Sequence, residues 1–241
     1  MIRRSSLWIG SVLLLTSLTG YAGGPPILTT SKVPDYFVVG RPESLVFVVR
    51  GFCCGHPPFV RKEYRVRATA TAGLQKIDVA AILTGNAGEY AATLTLPAPG
   101  DWTIRVDLVN RNEEDRMSQP LQRKAIWPGS PLPDSLSLEA RGERNFLEKG
   151  CITCHVHRAF VTPKYSRSGL RPTAWRLPRV WYPELTGRKY FYDYLVQLLA
   201  NPSSVRDGAR MPNLNLGKDD ISALVAFINR ERSTIASGVA P

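Results

Sequence analysis

Cys151-Ile152-Thr153-Cys154-His155 carries the densest chemistry in the chain. The pattern is C-x-x-C-H, the attachment signature of a c-type haem. Each thiol can form a thioether to one haem vinyl group, and the two-residue spacer lets both sulfurs reach one porphyrin edge. The next residue, His155, then sits under the iron as proximal ligand. A disulfide, a redox C-x-x-C pair and half of a zinc site use the same two cysteines. None of these requires a histidine directly after the second one. A zinc site would need a second ligand pair, and the only other cysteines are Cys53 and Cys54. The reading adopted is one covalent haem c.

Working outward, the 241 residues allow one large or two modest domains, and 44% hydrophobic with 21% charged residues suffices for an unstapled core. Met1-Ile2-Arg3-Arg4 is a basic start, Leu7 to Leu18 a short apolar run, and Gly20-Tyr21-Ala22 a small-residue cleavage site. Residues 1–22 therefore read as a signal peptide cleaved after Ala22. The alternative is an uncleaved anchor, although the run is shorter than the ~20 residues of a spanning helix. The expected location is the periplasm or the outer face of the cytoplasmic membrane. The formal net charge is +11, or +9 once Arg3 and Arg4 are removed. A basic exported protein suits an acidic partner or an anionic membrane surface. No nucleic-acid module is present.

Residues 23–32 are rich in Gly, Pro and Thr and read as a linker. Residues 33–127 then show short β-branched and aromatic runs: Tyr36–Val39, Ser44–Arg50, Glu63–Ala70, Gln75–Ala81, Tyr90–Leu96, Trp102–Val109 and Arg123–Trp127. Tyr64, Val66 and Ala68 alternate with Arg65, Arg67 and Thr69, the period of a half-buried strand. Gly40-Arg41-Pro42, Gly85-Asn86-Ala87-Gly88 and Pro97-Ala98-Pro99-Gly100 supply turns. About seven such strands predict an all-β sandwich. The run from Glu89 to Val106 resembles the closing hairpin of small exported immunoglobulin-like domains of the YtkA-like and FixH-like families, through a loose G-x-Y…P-G-x-W-x-I-x-V pattern.

One loop of this segment is chemically distinct. Cys53, Cys54 and His56 place two thiols and an imidazole within four positions. Soft thiolate and imidazole donors suit copper or zinc. A vicinal disulfide, strained and labile, or two ordinary loop cysteines are the other readings.

Residues 128–134 form a Pro-rich connector, after which the texture turns helical. Leu136, Leu138, Gly142, Phe146 and Leu147 share one helical face, while Glu139, Arg141, Glu143, Arg144 and Glu148 fall mostly elsewhere. Ser135 or Ser137 can cap the start, and Gly150 ends the helix. Further helices are predicted over Lys189–Ala200 and from Asp219 or Asp220 through Ile228.

Residues 135–232 resemble a class I cytochrome c. The motifs are Gly142-x-x-x-Phe146, Cys151-x-x-Cys154-His155, Pro183 to Tyr190, Leu198 to Pro202, Gly208 to Leu214, and Asp220-Ile221 through Phe227-Ile228. The expectation is thus a multidomain chain: an N-terminal all-β immunoglobulin-like sandwich and a C-terminal all-α class I cytochrome c fold, with a flexible tail at 233–241.

The iron's sixth ligand follows by elimination. His157 lies too near His155 to cross the porphyrin, Met1 leaves with the signal, and Met117 falls in the β segment. Met211, 56 residues after His155 and followed by Pro212, remains. The family pattern also places its methionine ligand there. His/Met ligation raises the potential, and a filled coordination sphere favours electron transfer over catalysis. The resemblance further implies that Pro183 accepts the proximal imidazole's hydrogen bond, and that Arg188 and Tyr190 lie near the haem edge. The 27 residues between His155 and Pro183 are basic and aromatic, beginning with His157 and Arg158, and read as a docking surface or a lid.

The sequence thus predicts an exported monohaem electron carrier and not an enzyme, with the β segment as docking or assembly module. The alternatives are a fixed cytochrome subunit of a membrane oxidoreductase, and a copper-handling or redox-sensing protein built on Cys53, Cys54 and His56.

Overall fold

The computed structural model describes residues 27–51, 58, 64–110, 116–160, 183–209 and 211–230. The leader reading of residues 1–22, the Cys53/Cys54/His56 loop, most of the basic stretch before Pro183 and the tail lie outside these residues.

Nine strands dominate the described chain: β1 (Ile27–Lys32), β2 (Tyr36–Val38), β3 (Pro42–Arg50), β4 (Tyr64–Ala72), β5 (Gln75–Ala80), β6 (Ile82–Leu83), β7 (Glu89–Thr95), β8 (Gly100–Asn110) and β9 (Arg116–Ile126). They form two sheets, in the orders β1-β3-β7-β6 and β2-β9-β8-β4-β5. Every pairing is antiparallel except β2 on β9, which is parallel. Alternation sets which side chains face inward. On β8, Trp102, Ile104, Val106 and Leu108 are buried, as are Leu45, Phe47 and Val49 on β3. These residues and their counterparts on β4, β7 and β9 form one apolar cluster between the sheets. The indole of Trp102 is fully buried and donates Nε1–H to the Ala98 carbonyl (3.0 Å), so its polar atom is satisfied.

Residues 27–32, expected from sequence to be part of a linker, are strand β1. Ile27, Leu28, Thr29 and Thr30 are all buried. β3 lies along one edge of the strand, and the chain after β9 covers it. That coverage is invisible in the local composition.

The helices are few and short: α1 (Leu138–Glu148), α2 (Tyr192–Ala200), α3 (Pro202–Val205) and α4 (Lys218–Asn229), of 11, 9, 4 and 12 residues. Single 3₁₀ turns cover Cys151–Thr153 and Arg158–Phe160. The expected fold class, a sandwich followed by an all-α class I cytochrome c fold, is therefore corrected. The described residues are predominantly β, with two sheets and a few short helices. No substantial all-α domain is evident among the described residues. Short helices depend on tertiary packing, and α1 takes part of its packing from the sheets.

That contact is specific. Arg123 on β9 donates from Nη1 and Nη2 to both carboxylate oxygens of Glu148 at the end of α1 (2.6 and 2.9 Å). The two side chains are 1% and 8% exposed, so this is a buried, bidentate ion pair. Arg123 Nε also donates to the Pro34 carbonyl (2.6 Å). Thr30 Oγ1 donates to the Glu148 carbonyl (2.8 Å), and Arg144 pairs with Asp35. Gly150 follows α1 at φ +76°, where a Cβ would lie 3.0 Å from the Leu28 carbonyl oxygen.

The helices share a second apolar cluster of Phe146, Ile152, Phe160, Leu195, Leu199, Ile221, Leu224, Val225, Phe227 and Ile228. α1 meets α4 at Gly142, where a Cβ would sit 1.9 Å from the Ala223 carbonyl oxygen. Only glycine permits that approach.

Candidate haem-attachment site

Gly150 in its left-handed conformation turns the chain out of α1 and into the 3₁₀ turn Cys151–Thr153. The Thr153 N–H donates to the Gly150 carbonyl (3.0 Å), while those of Cys154 and His155 donate to Cys151 (3.1 and 2.9 Å). This tight turn puts both cysteines and His155 within one hydrogen-bonded loop. Both thiols are free and partly exposed. Burial of the sulfurs pushes Cys151 up to about 12, with Cys154 adding to the shift, and pushes Cys154 up to about 11. Thiol–disulfide exchange proceeds through the thiolate, which such burial disfavours. Among the described residues no group of three or more His, Cys, Asp or Glu is placed to hold a metal ion.

The His155 imidazole is held below its usual pKa by burial, partly opposed by the Pro183 carbonyl. That carbonyl lies beside the ring, but among the described residues no acceptor meets the buried Nδ1 with hydrogen-bond geometry. Pro183 is nevertheless tied to the motif: the Val156 N–H donates to its carbonyl (3.4 Å) and the Leu185 N–H donates to Val156 (2.9 Å). Arg158 supports the same junction, its N–H donating to Thr186 Oγ1 (2.8 Å) and its side chain pairing with Glu184 (3.4 Å). Val156 and Glu184, on either side of the region outside the described residues, therefore pair beside His155.

Cys151, Tyr190 and Met211 all pack, partly buried, against the helical cluster. Tyr190 is anchored through its backbone: its N–H donates to Asn229 Oδ1 (2.9 Å) and its carbonyl accepts from Asn229 Nδ2 (3.0 Å). Its ring stacks on Tyr194 with centroids 6.5 Å apart. Arg188 is exposed. Met117 lies on β9 opposite Leu108 in the register.

His157 departs from its sequence reading. The sequence groups it with the basic stretch, yet it is 4% exposed. Its ring lies 4.4 Å from Phe227, 5.8 Å from Phe146 and 6.0 Å from Phe160, centroid to centroid. Nδ1 accepts from the Ala159 N–H (3.2 Å), so a neutral ring carries its proton on Nε2. Burial first, and the nearby Arg230 second, push it down to about 4 against an opposing effect of Glu184. It is a neutral core residue. Nothing local in the sequence marks it, because the phenylalanines around it come from three other positions.

No family model matches the chain, and no curated protein does. Solved structures that match include a superoxide reductase (neelaredoxin) from Ignicoccus hospitalis. It is 11% identical, with 43% of this chain and 82% of that one covered and a TM-score of 0.29. A conjugative transposon lipoprotein from Bacteroides eggerthii is also 11% identical, covering 41% and 96% at a TM-score of 0.28. The endo-beta-1,4-mannanase from Thermotoga petrophila is 10% identical, covering 45% and 21% at a TM-score of 0.29, so the match spans about a fifth of that enzyme. Superpositions this loose carry no functional argument. The recognition of a class I cytochrome c behind a YtkA-like or FixH-like domain is corrected accordingly. No family model supports it, and the β-dominated architecture with a few short helices overturns it.

Proposed function

We propose that the chain carries one covalently attached haem c on Cys151 and Cys154 and relays single electrons. The observation that carries this reading is local and does not need a family fold. Two free cysteines bracket one tight turn, and the next residue is the partly buried His155, whose Nδ1 is itself buried beside the Pro183 carbonyl. A haem held there supplies a one-electron couple whose potential depends on its axial ligands.

Cys151 and Cys154 would hold the group by two thioethers. His155 would supply one nitrogen ligand to its iron, with the Pro183 carbonyl beside the ring. Met211, on the rim of the same apolar cluster, would supply the second protein ligand. Tyr190, partly buried on that rim, would stand beside the group, and the exposed Arg188 would be available to a partner. A haem held by two protein ligands would serve electron relay in preference to catalysis.

The basic leader reading of residues 1–22 supports work outside the cytoplasmic membrane, and the net charge of +9 after its removal supports an acidic redox partner. The sheets would serve as the docking or assembly surface.

The test is haem staining of the exported full-length protein on a denaturing gel. A stained band that survives denaturation, and disappears in Cys151→Ala/Cys154→Ala, is the expected result. An unstained wild-type protein made in a host that matures c-type haem would sink the reading. Loss of the weak methionine–iron absorption band in Met211→Ala then tests the second ligand.

A further inference from the structure

A cavity of about 230 Å³ opens where β1 and β3 meet the chain on either side of the helical cluster. Its walls include Arg50, Lys149, Asn86, Asn215, Thr29 and Glu89. Arg50 ends β3 and is only 9% exposed. Its Nε is buried without a hydrogen-bond acceptor, and among the described residues no carboxylate pairs with its guanidinium. Burial depresses its pKa. A buried guanidinium without a counter-charge is costly, and such groups are normally paired.

The other polar walls are only partly committed. Lys149 reaches Asp220 (3.2 Å) at one side of its ammonium. Asn86 donates to Glu89 Oε1 (3.0 Å), which also accepts from Thr84 (2.8 Å). The Thr29 hydroxyl donates to the Val48 carbonyl (3.2 Å), so its oxygen is left as an acceptor. Asn215 holds φ +52°, the one described non-glycine residue at positive φ, with its N–H donating to Asn213 Oδ1 (2.8 Å). Leu214 and Asn215 line the cavity together with residues of β1 and β3.

We propose that this cavity binds a small oxyanion, a carboxylate or a phosphate, on the Arg50 guanidinium. The planar fork matches two oxygens of either group. Lys149 adds a second positive charge, and the amides of Asn86 and Asn215 can donate further hydrogen bonds. At about 30 Å³ per water the volume holds one such anion with a few waters. Glu89 on the same wall excludes a multiply charged occupant and favours one that carries an O–H, such as dihydrogen phosphate or a hydroxycarboxylate. The site stands whether or not Cys151 and Cys154 carry a haem.

The test is calorimetric titration of the full-length protein at low ionic strength. Inorganic phosphate forms one arm, lactate the second, and chloride the control. Saturable one-site binding of phosphate or lactate, weakened about tenfold or more in Arg50→Met, is expected. The arm that saturates identifies the source of the oxyanion. Arg50→Met should fold, since methionine fills the space of the stem without a charge. Lys149→Met, expected to weaken binding in the same direction, gives an independent variant. No saturable heat in either arm, or equal binding in wild type and both variants, would overturn the assignment.

Discussion

The two apolar clusters close in different ways. Between the sheets, Phe37, Leu45, Phe47, Leu94, Trp102, Ile104 and Val106 are all fully buried, and β3, β7 and β8 present alternate side chains to the same interior. The helical cluster is smaller and has a ragged rim: Cys151, Leu185, Tyr190, Val196, Met211 and Leu216 are only partly covered. Phe191, Tyr192 and Tyr194 beside it are exposed. One core is completed by its own alternation. The other leans on the sheets through α1 and carries its chemically versatile residues, Cys151, Tyr190 and Met211, on its rim. The lesson is that a stable scaffold and a reactive rim can share one chain if a few strong links hold them together.

The strongest way to break that arrangement is to cut the Arg123–Glu148 link. Glu148→Ala leaves a guanidinium that is 1% exposed without its counter-charge, and Arg123→Ala leaves the carboxylate. Either change should cost about 3–5 kcal/mol, because a lone buried charge pays full desolvation. The double replacement Arg123→Met/Glu148→Leu should recover most of that loss, since an apolar pair of similar volume removes both charges. Urea unfolding of the three variants measures this. A double variant as unstable as either single one would show that the pair stabilises the junction beyond charge compensation.

Next in size is Gly142→Ala. The added methyl meets the Ala223 backbone at a distance no repacking of side chains relieves, so α1 and α4 must separate. Overpacking of this kind costs about 1–3 kcal/mol or more. The contrast between the clusters predicts where the damage goes. Amide exchange should quicken in α1 and α4, while β8, buried at the centre of its sheet, keeps its protection. Equal loss of protection in β8 would mean that the two clusters unfold as one unit.

These variants also mark what can and cannot be read from the sequence. Strand β4 is legible because Tyr64, Val66 and Ala68 alternate against charged neighbours. β8 is legible for the same reason, and the turn glycines bound both. β1 is not: the run Ile27-Leu28-Thr29-Thr30 is covered on more than one side, so it shows no alternation. The helical stripes of α1, α2 and α4 are visible but only partly right: Gly142, Phe146, Leu195 and Leu199 are buried, while Leu136, Leu138 and Tyr194 of the same stripes are exposed, and a stripe does not say what buries it. Glu148 falls with the polar face of α1, because a partner 25 positions away leaves no local trace. Taking those stripes for a separate all-α domain is the error that follows. The C-x-x-C-H spacing is plain, being purely local chemistry. The Arg50 cavity is hidden for the opposite reason, since its walls come from several distant stretches.

The smallest effect tests whether the helical side depends on local signals that the sheets do not need. Ser137 caps α1, its Oγ accepting from the Ala140 N–H (3.2 Å) at an exposed position. Ser137→Ala removes an acceptor from the first turn without touching either core, and should cost about 1 kcal/mol. An 11-residue helix is too short to stand on propensity alone, so even this loss should be felt as fraying at Leu138–Arg141. Exchange of those amides should rise about fivefold, with Trp102 and its neighbours on β8 unchanged. If α1 exchange does not move, the Arg123–Glu148 link and the Gly142 contact alone fix the helix, and the sheets govern the helical side more fully than the two clusters suggest.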